Sequence, residues 1–184
     1  NSQVNFCARA FKAAPQGHAD SAALMVLGGL MRNEFLHREL REKGGAYGGG
    51  ANYDGGSGTF GFFSYRDPRL SGTLDDFDRA VDWVSDGAGD VELREQAILG
   101  VISAIDRPGS PAGEALGAFA SELHGRTAQV RRDMRARVLD VDASGLRSVA
   151  EKYLATGTGT TAVVTSERNL KADSCGDRFE TREL

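Results

Sequence analysis

Apolar and polar residues alternate from the start of the chain. Val4, Phe6, Ala8 and Ala10 are interleaved with Asn5, Cys7, Arg9 and Phe11, the two-residue period of a strand. Pro15-Gln16-Gly17 ends that run. The period then lengthens. Leu24, Leu27, Met31 and Phe35, together with Val26, Leu30, Leu36 and Leu40, make an apolar stripe wide enough to bury most of a long helix. Asp20-Ser21 offers an N-cap, and Gly44-Gly45 offers a stop directly after Arg41-Glu42-Lys43, so the pattern predicts one helix over 20–43. Segments 46–53 and 58–66 read as an antiparallel hairpin turning through Asn52-Tyr53-Asp54-Gly55-Gly56. From Ser71 onward the helical period dominates. Thr73 with Asp76 resembles a capping box, Asp90 starts a second helix, and Asp106 to Pro111 breaks it. Further helices are predicted over 112–124, 127–139 and 142–155, then a closing strand over 160–165 and a polar tail. The order predicts an α+β fold, a small antiparallel sheet covered on one face by helices.

Glycine is the outlier in composition, 24 of 184 residues, about twice the usual share of roughly 7%. Eight of them fall within the fifteen residues from Gly44 to Gly58. A strand stripped of side chains leaves room for another backbone to come close, which marks this segment as a candidate site. It is not a phosphate loop, because its glycines follow a helix and open a strand, and Gly-Lys-Ser/Thr is missing.

Charge and the remaining chemistry narrow the picture. The net charge is −4 at pH 7. The arginines at 126, 131, 132, 135 and 137 have no interleaved aromatics, so nucleic-acid binding is not expected. The longest apolar run, Ala22 to Met31, is too short to cross a bilayer. Cys7 and Cys175 lie far apart, and no disulfide framework is expected. His18, His37 and His124 lack metal-ligand spacing, so no metal site is assigned to this chain. No Gly-x-Ser-x-Gly elbow is present. Arg41 and Tyr47 remain, six residues apart across the double glycine. A guanidinium binds a carbonyl or carboxylate with paired donors, and a phenol donates to an oxyanion. From spacing alone, Arg41 as a helix cap and Tyr47 as a packed strand residue is the better reading.

The run from Phe35 to Gly50 (FLHRELREKGGAYGGG), followed by Phe63-Ser64-Tyr65-Arg66-Asp67-Pro68, resembles the C-terminal half of the insulinase (pitrilysin-type, M16) zinc metallopeptidases. Leu-Arg-Glu-Lys-Gly-Gly-Ala-Tyr-Gly is most similar to the presequence proteases and their bacterial relatives. The resemblance implies a clamshell enzyme whose two halves enclose a chamber for unfolded peptides. Zinc and its ligands would reside in the N-terminal half, which this chain would meet as its partner. Arg41 and Tyr47 would reach that site from the last domain, with Gly48 and Gly49 lining the approach of the peptide. Residues 1–184 are then expected to be one domain of a larger polypeptide, without its leading strands and inactive by itself. A bacterial cytoplasm or an organellar matrix would suit such an enzyme. The rival expectation is a non-catalytic, structural copy of the domain.

Overall fold

The computed structural model describes residues 3–155, 158–173 and 175–183. Four strands form one antiparallel sheet in the order β2-β3-β1-β4: β1 (Asn5–Lys12), β2 (Gly48–Asp54), β3 (Thr59–Asp67) and β4 (Thr160–Val164). Helix α1 (Ser21–Leu30) continues into a π-helical segment, Met31–Lys43, and α2 (Ser71–Gly87) runs beside it. These helices cover one face of the sheet. Helices α3 (Val91–Ile105), α5 (Ala128–Leu139) and α6 (Ala143–Tyr153) add an outer layer, α4 (Pro111–Leu123) buries no residue, and α7 (Glu167–Ala172) follows β4.

The core lies between the sheet and its helices. Leu24, Leu27, Leu30, Met31, Leu36 and Leu40 from the long helix are fully buried against Phe60 and Phe62 of β3. The Phe62 ring lies 5.5 Å from Phe77 of α2 and 5.6 Å from Phe11 of β1. In β1 the inward set is Asn5, Cys7 and Phe11, with Arg9 half-buried, while Phe6, Ala8 and Ala10 face out. The opposite sheet face therefore carries Phe6, Phe63, Tyr65 and Val164 in the open.

Several sequence expectations change in detail. The helix over 20–43 is continuous, but at Met31 its turns widen to the rare i→i+5 pattern. Asp20 makes no capping bond; its carboxylate accepts instead from Lys152 and Tyr153 of α6, which hold it below the usual aspartate range. Thr73 and Asp76 form no capping box. Thr73 donates to buried Asp67, and α2 is capped from the far end of the chain, by Asp173 accepting from the Ser71 N–H and hydroxyl. Three of the arginines around α5 are tethers: Arg131 donates to the Ile105 carbonyl, Arg135 pairs with Asp106, and Arg137 donates to the His18 carbonyl. Asp90 caps its helix as expected, and Ser110, Thr127 and Asp142 cap the three that follow. The polar tail holds α7 and a single turn, Gly176–Arg178.

Candidate functional site

The long helix ends where the two glycines stand, and each is required for a different reason. Gly45 adopts φ +78°, a region costly for any residue with a Cβ. Its N–H donates to the Arg41 carbonyl at 3.0 Å, and Ala46 N–H reaches the Leu40 carbonyl at 2.9 Å, closing the helix end. Gly44 has an ordinary helical φ of −86°. There the constraint is space, since a Cβ would lie 1.8 Å from the Arg69 guanidinium.

Arg69 passes beneath the bend and is the hub of a buried polar cluster. It donates to Asp76 (2.9 Å) and to the Glu39 carbonyl (3.2 Å). Asp76 also accepts from Arg79, which pairs in turn with Glu39. Glu39, Asp67 and Asp76 are 4%, 0% and 1% exposed, so their charges are removed from water and need compensation, which Arg38 and Lys43 also give Glu39, and the Arg69 N–H and Thr73 hydroxyl give Asp67. Burial pushes the Glu39 carboxyl up, but Lys43, Arg38 and Arg79 more than offset it and hold it below the usual glutamate range. Asn5 ties the same loop to β1 through the Asp67 and Arg69 carbonyls.

Above this base both candidate side chains face solvent. Arg41 is exposed, and its guanidinium lies 3.1 Å from His37 Nε2. Tyr47 is 64% exposed. Among the described residues neither side chain hydrogen-bonds the other, and the Tyr47 hydroxyl makes no hydrogen bond. The Tyr47 ring packs against Tyr65 at 5.7 Å and against the Arg66 guanidinium at 5.6 Å. The room left by Gly48 is filled by the Tyr65 ring, 2.5 Å from where a Cβ would stand. Gly49 faces the helix layer, and its missing Cβ makes way for Leu40 and the Phe63 carbonyl. Backbone approach on the faces of these glycines is thus taken up by the domain's own side chains, and β2 meets solvent as an edge strand.

A zinc site gathers three or four N, S or O ligands around one metal ion. Among the described residues no group of three or more His, Cys, Asp or Glu side chains is placed to hold one, and His37 is engaged by Arg41 and Glu42. Cys7 is buried, and burial pushes its thiol up to about 11, far from nucleophilic use at neutral pH. A cavity of about 340 Å³ lined by Met25, Tyr53, Ile105, Val130 and Met134 lies at the other end of the hairpin, away from Arg41 and Tyr47.

Sequence reasoning singled out Arg41 and Tyr47 but assigned nothing to Tyr65, Arg66 or Arg69. Their signal lay in the run Ser64 to Arg69, which has no recognisable period. The i,i+4 spacing of Glu39 and Lys43 and the i,i+3 spacing of Asp76 and Arg79 were the local traces of the buried cluster.

Comparison with known proteins bears on the family and the fold. A family model described as the PreP C-terminal domain matches residues 1–166. The mitochondrial presequence protease of Danio rerio is 42% identical over 160 residues, taking in 87% of this chain and 15% of that protein. Its counterpart in Saccharomyces cerevisiae is 35% identical over 183 residues, 99% of this chain and 18% of that one. The chain thus spans less than a fifth of the length of these curated relatives. Among solved structures, a putative zinc protease from Bordetella pertussis aligns with a TM-score of 0.72 at 14% identity, over 89% of this chain and 94% of that one. Pitrilysin aligns at 0.65 and 16% identity, over 89% of this chain and 18% of its own. Identities this low show a shared fold. The family match, the identity to presequence proteases and the pitrilysin-type architecture lead to one assignment: the chain belongs to the C-terminal domain family of the presequence proteases.

Proposed function

We propose that this domain serves a zinc-dependent endopeptidase by presenting Arg41 and Tyr47 to a peptide held at a metal site in another part of the same polypeptide. The observation that carries the reading is the contrast at the bend. Two side chains with hydrogen-bonding capacity to spare stand in solvent, directly above a buried ionic base that fixes the backbone between them. Zinc, supplied by the other half, would provide the activated water; the residues here would bind and orient. Tyr47 Oη donates to the oxyanion that develops on the scissile carbonyl. Arg41 holds a neighbouring carbonyl or carboxylate with paired N–H donors. Tyr65 and Leu40 fill the faces of Gly48 and Gly49, so an extended peptide would approach them along the edge of β2, beside Tyr47. Peptides are the substrate class, and the relatives named mitochondrial favour an organellar matrix, while a bacterial cytoplasm is equally compatible with the chain. No helix among the described residues is long and apolar enough to cross a membrane.

The test is Tyr47→Phe in the intact enzyme with an unstructured peptide. Removing one oxyanion donor is expected to lower kcat by a factor equivalent to about 2.7–4 kcal/mol, with little change in KM. Arg41→Ala should raise KM as well. Unchanged turnover in both variants, with the two parts of the enzyme still assembled, would instead support a purely structural domain. Cleavage by the 184-residue chain alone would refute the division of labour.

A further inference from the structure

The β1–β3 register contains an irregularity beside Tyr47. Asn5 pairs with Asp67 and Cys7 with Ser64, so Phe6 alone opposes both Tyr65 and Arg66. That is a strand bulge, a device that re-aims side chains and is common beside active sites. Its consequence is visible in the burial order along β3. Ser64 and Asp67 face the core, and the two consecutive residues between them both face out. Without the extra residue, strict alternation would send either Arg66 inward or Asp67 outward.

Arg66 takes φ +50°, the one positive φ outside glycine among the described residues. Glycine, asparagine or aspartate tolerates that region better than arginine does. The backbone therefore gives no reason for an arginine here, and the side chain must. Its carbonyl accepts from the Tyr47 N–H at 3.2 Å, extending the β2–β3 ladder one step past the Gly48–Tyr65 pair. Its guanidinium carbon stands 5.6 Å from the Tyr47 ring centroid, within cation–π range. Unlike Arg69, three residues on, Arg66 forms no ion pair with any described carboxylate. One residue thus holds both the main chain and the ring of Tyr47.

We propose that Arg66 is a positioning residue for Tyr47: a guanidinium, carried outward on a strand bulge, that confines an otherwise solvent-exposed phenol to the orientation in which it donates to substrate. The proposal rests on the reading of Tyr47 given above. An exposed tyrosine free to change rotamer presents its hydroxyl only part of the time, whereas a preorganised donor acts without reorganisation at the moment of reaction.

The experiment is a double-mutant cycle in the intact enzyme. Arg66→Gly suits the positive φ and removes only the side chain, so thermal stability should hold or rise. The expected result is a fall in kcat of roughly tenfold with KM within about twofold. Arg66→Lys keeps a cation and should recover part of the loss. In a Tyr47→Phe background Arg66→Gly should cost nothing further, because its effect passes through the hydroxyl. An equal loss in both backgrounds would mean that Arg66 acts on substrate directly, and would overturn the proposal. So would an unchanged kcat in Arg66→Gly while Tyr47→Phe is impaired, which leaves the reading of Tyr47 standing. Should Tyr47→Phe itself be silent, 3-fluorotyrosine placed at position 47 gives a readout free of catalysis. Its fluorine resonance should move towards the solvent-exposed value in Arg66→Gly, and a resonance that stays in place overturns the positioning role.

Discussion

The two ends of the β2–β3 hairpin are held by different means. At the turn, Asp54 accepts from the Gly56 N–H at 2.9 Å and from the Ser57 hydroxyl at 2.7 Å, and Ser57 meets Thr59 at 2.7 Å. These partners lie within six residues of one another. At the open end, Tyr47 meets Tyr65 and Arg66, and the bend behind it is pinned by Arg69, Asp76 and Glu39, side chains separated by up to 37 positions. One end is closed by local side-chain bonds, backed by Ala13, Ala14 and Gln16 from the segment after β1; the other draws its side chains from across the fold. The end assembled by the fold is the one that carries the candidate chemistry, and its side chains can be fixed only as firmly as the elements that converge there.

That contrast can be broken first at its hub. Arg69→Met leaves the Asp76 carboxylate buried with Arg79 alone. Breaking a buried pair costs about 3–5 kcal/mol, and the partial exposure of Arg69 together with the remaining partner reduces the expectation to about 2–3 kcal/mol. The loss would appear as a lower unfolding midpoint and as faster hydrogen exchange across 44–50, with the amides of 54–58 little affected. If both ends loosened equally, the hairpin would be a single unit and the distinction would fail.

Gly45→Ala probes the same end through the backbone. Forcing a Cβ into φ +78° should cost about 1–2 kcal/mol without touching the ionic cluster. Turnover should fall with it, because Arg41 and Tyr47 are oriented from opposite sides of that residue. A destabilised variant with wild-type kcat would show that the bend's conformation is irrelevant to the reaction.

The smallest effect is with acid. Glu39 is held below the usual glutamate range in the folded state, so its contribution is fully present above that range and is lost as pH falls through the lowered value. Asp54 is lowered too, by Ser57 and then the Gly56 N–H, with the same sign. It is exposed, however, and the backbone bonds from Ala13 to Gly58 (2.7 Å) and from Gln16 to Gly55 (2.8 Å) remain when it is protonated. Protection of the amides at 45–47, corrected for intrinsic exchange, should therefore decline as pH falls below the usual glutamate range, before that of the turn. The reverse order would show that Glu39 does not hold the bend.

The difference between the two ends also sorts what was readable beforehand. The sequence by itself determined the elements: the periods of Leu24 to Leu40, the hairpin, whose turn falls at Gly55 to Gly58 while Asn52 to Asp54 stay in β2, the helix start at Asp90, and the glycine stop at Gly45. Each depends on residues within a few positions, where backbone geometry dictates which side chains meet. It also delivered Arg41 and Tyr47, through a resemblance in a short motif rather than through spacing. Tertiary structure alone decided that Asp20 binds remote Lys152 and that Asp76 joins Arg69 and Arg79 in a buried cluster instead of capping its helix, that Asp173 caps α2 across the fold, and that the helix widens after Leu30. It alone placed Arg66 on a bulge against Tyr47. Those outcomes turn on which charges are taken out of water together and on strand register, and both are settled only when remote segments pack.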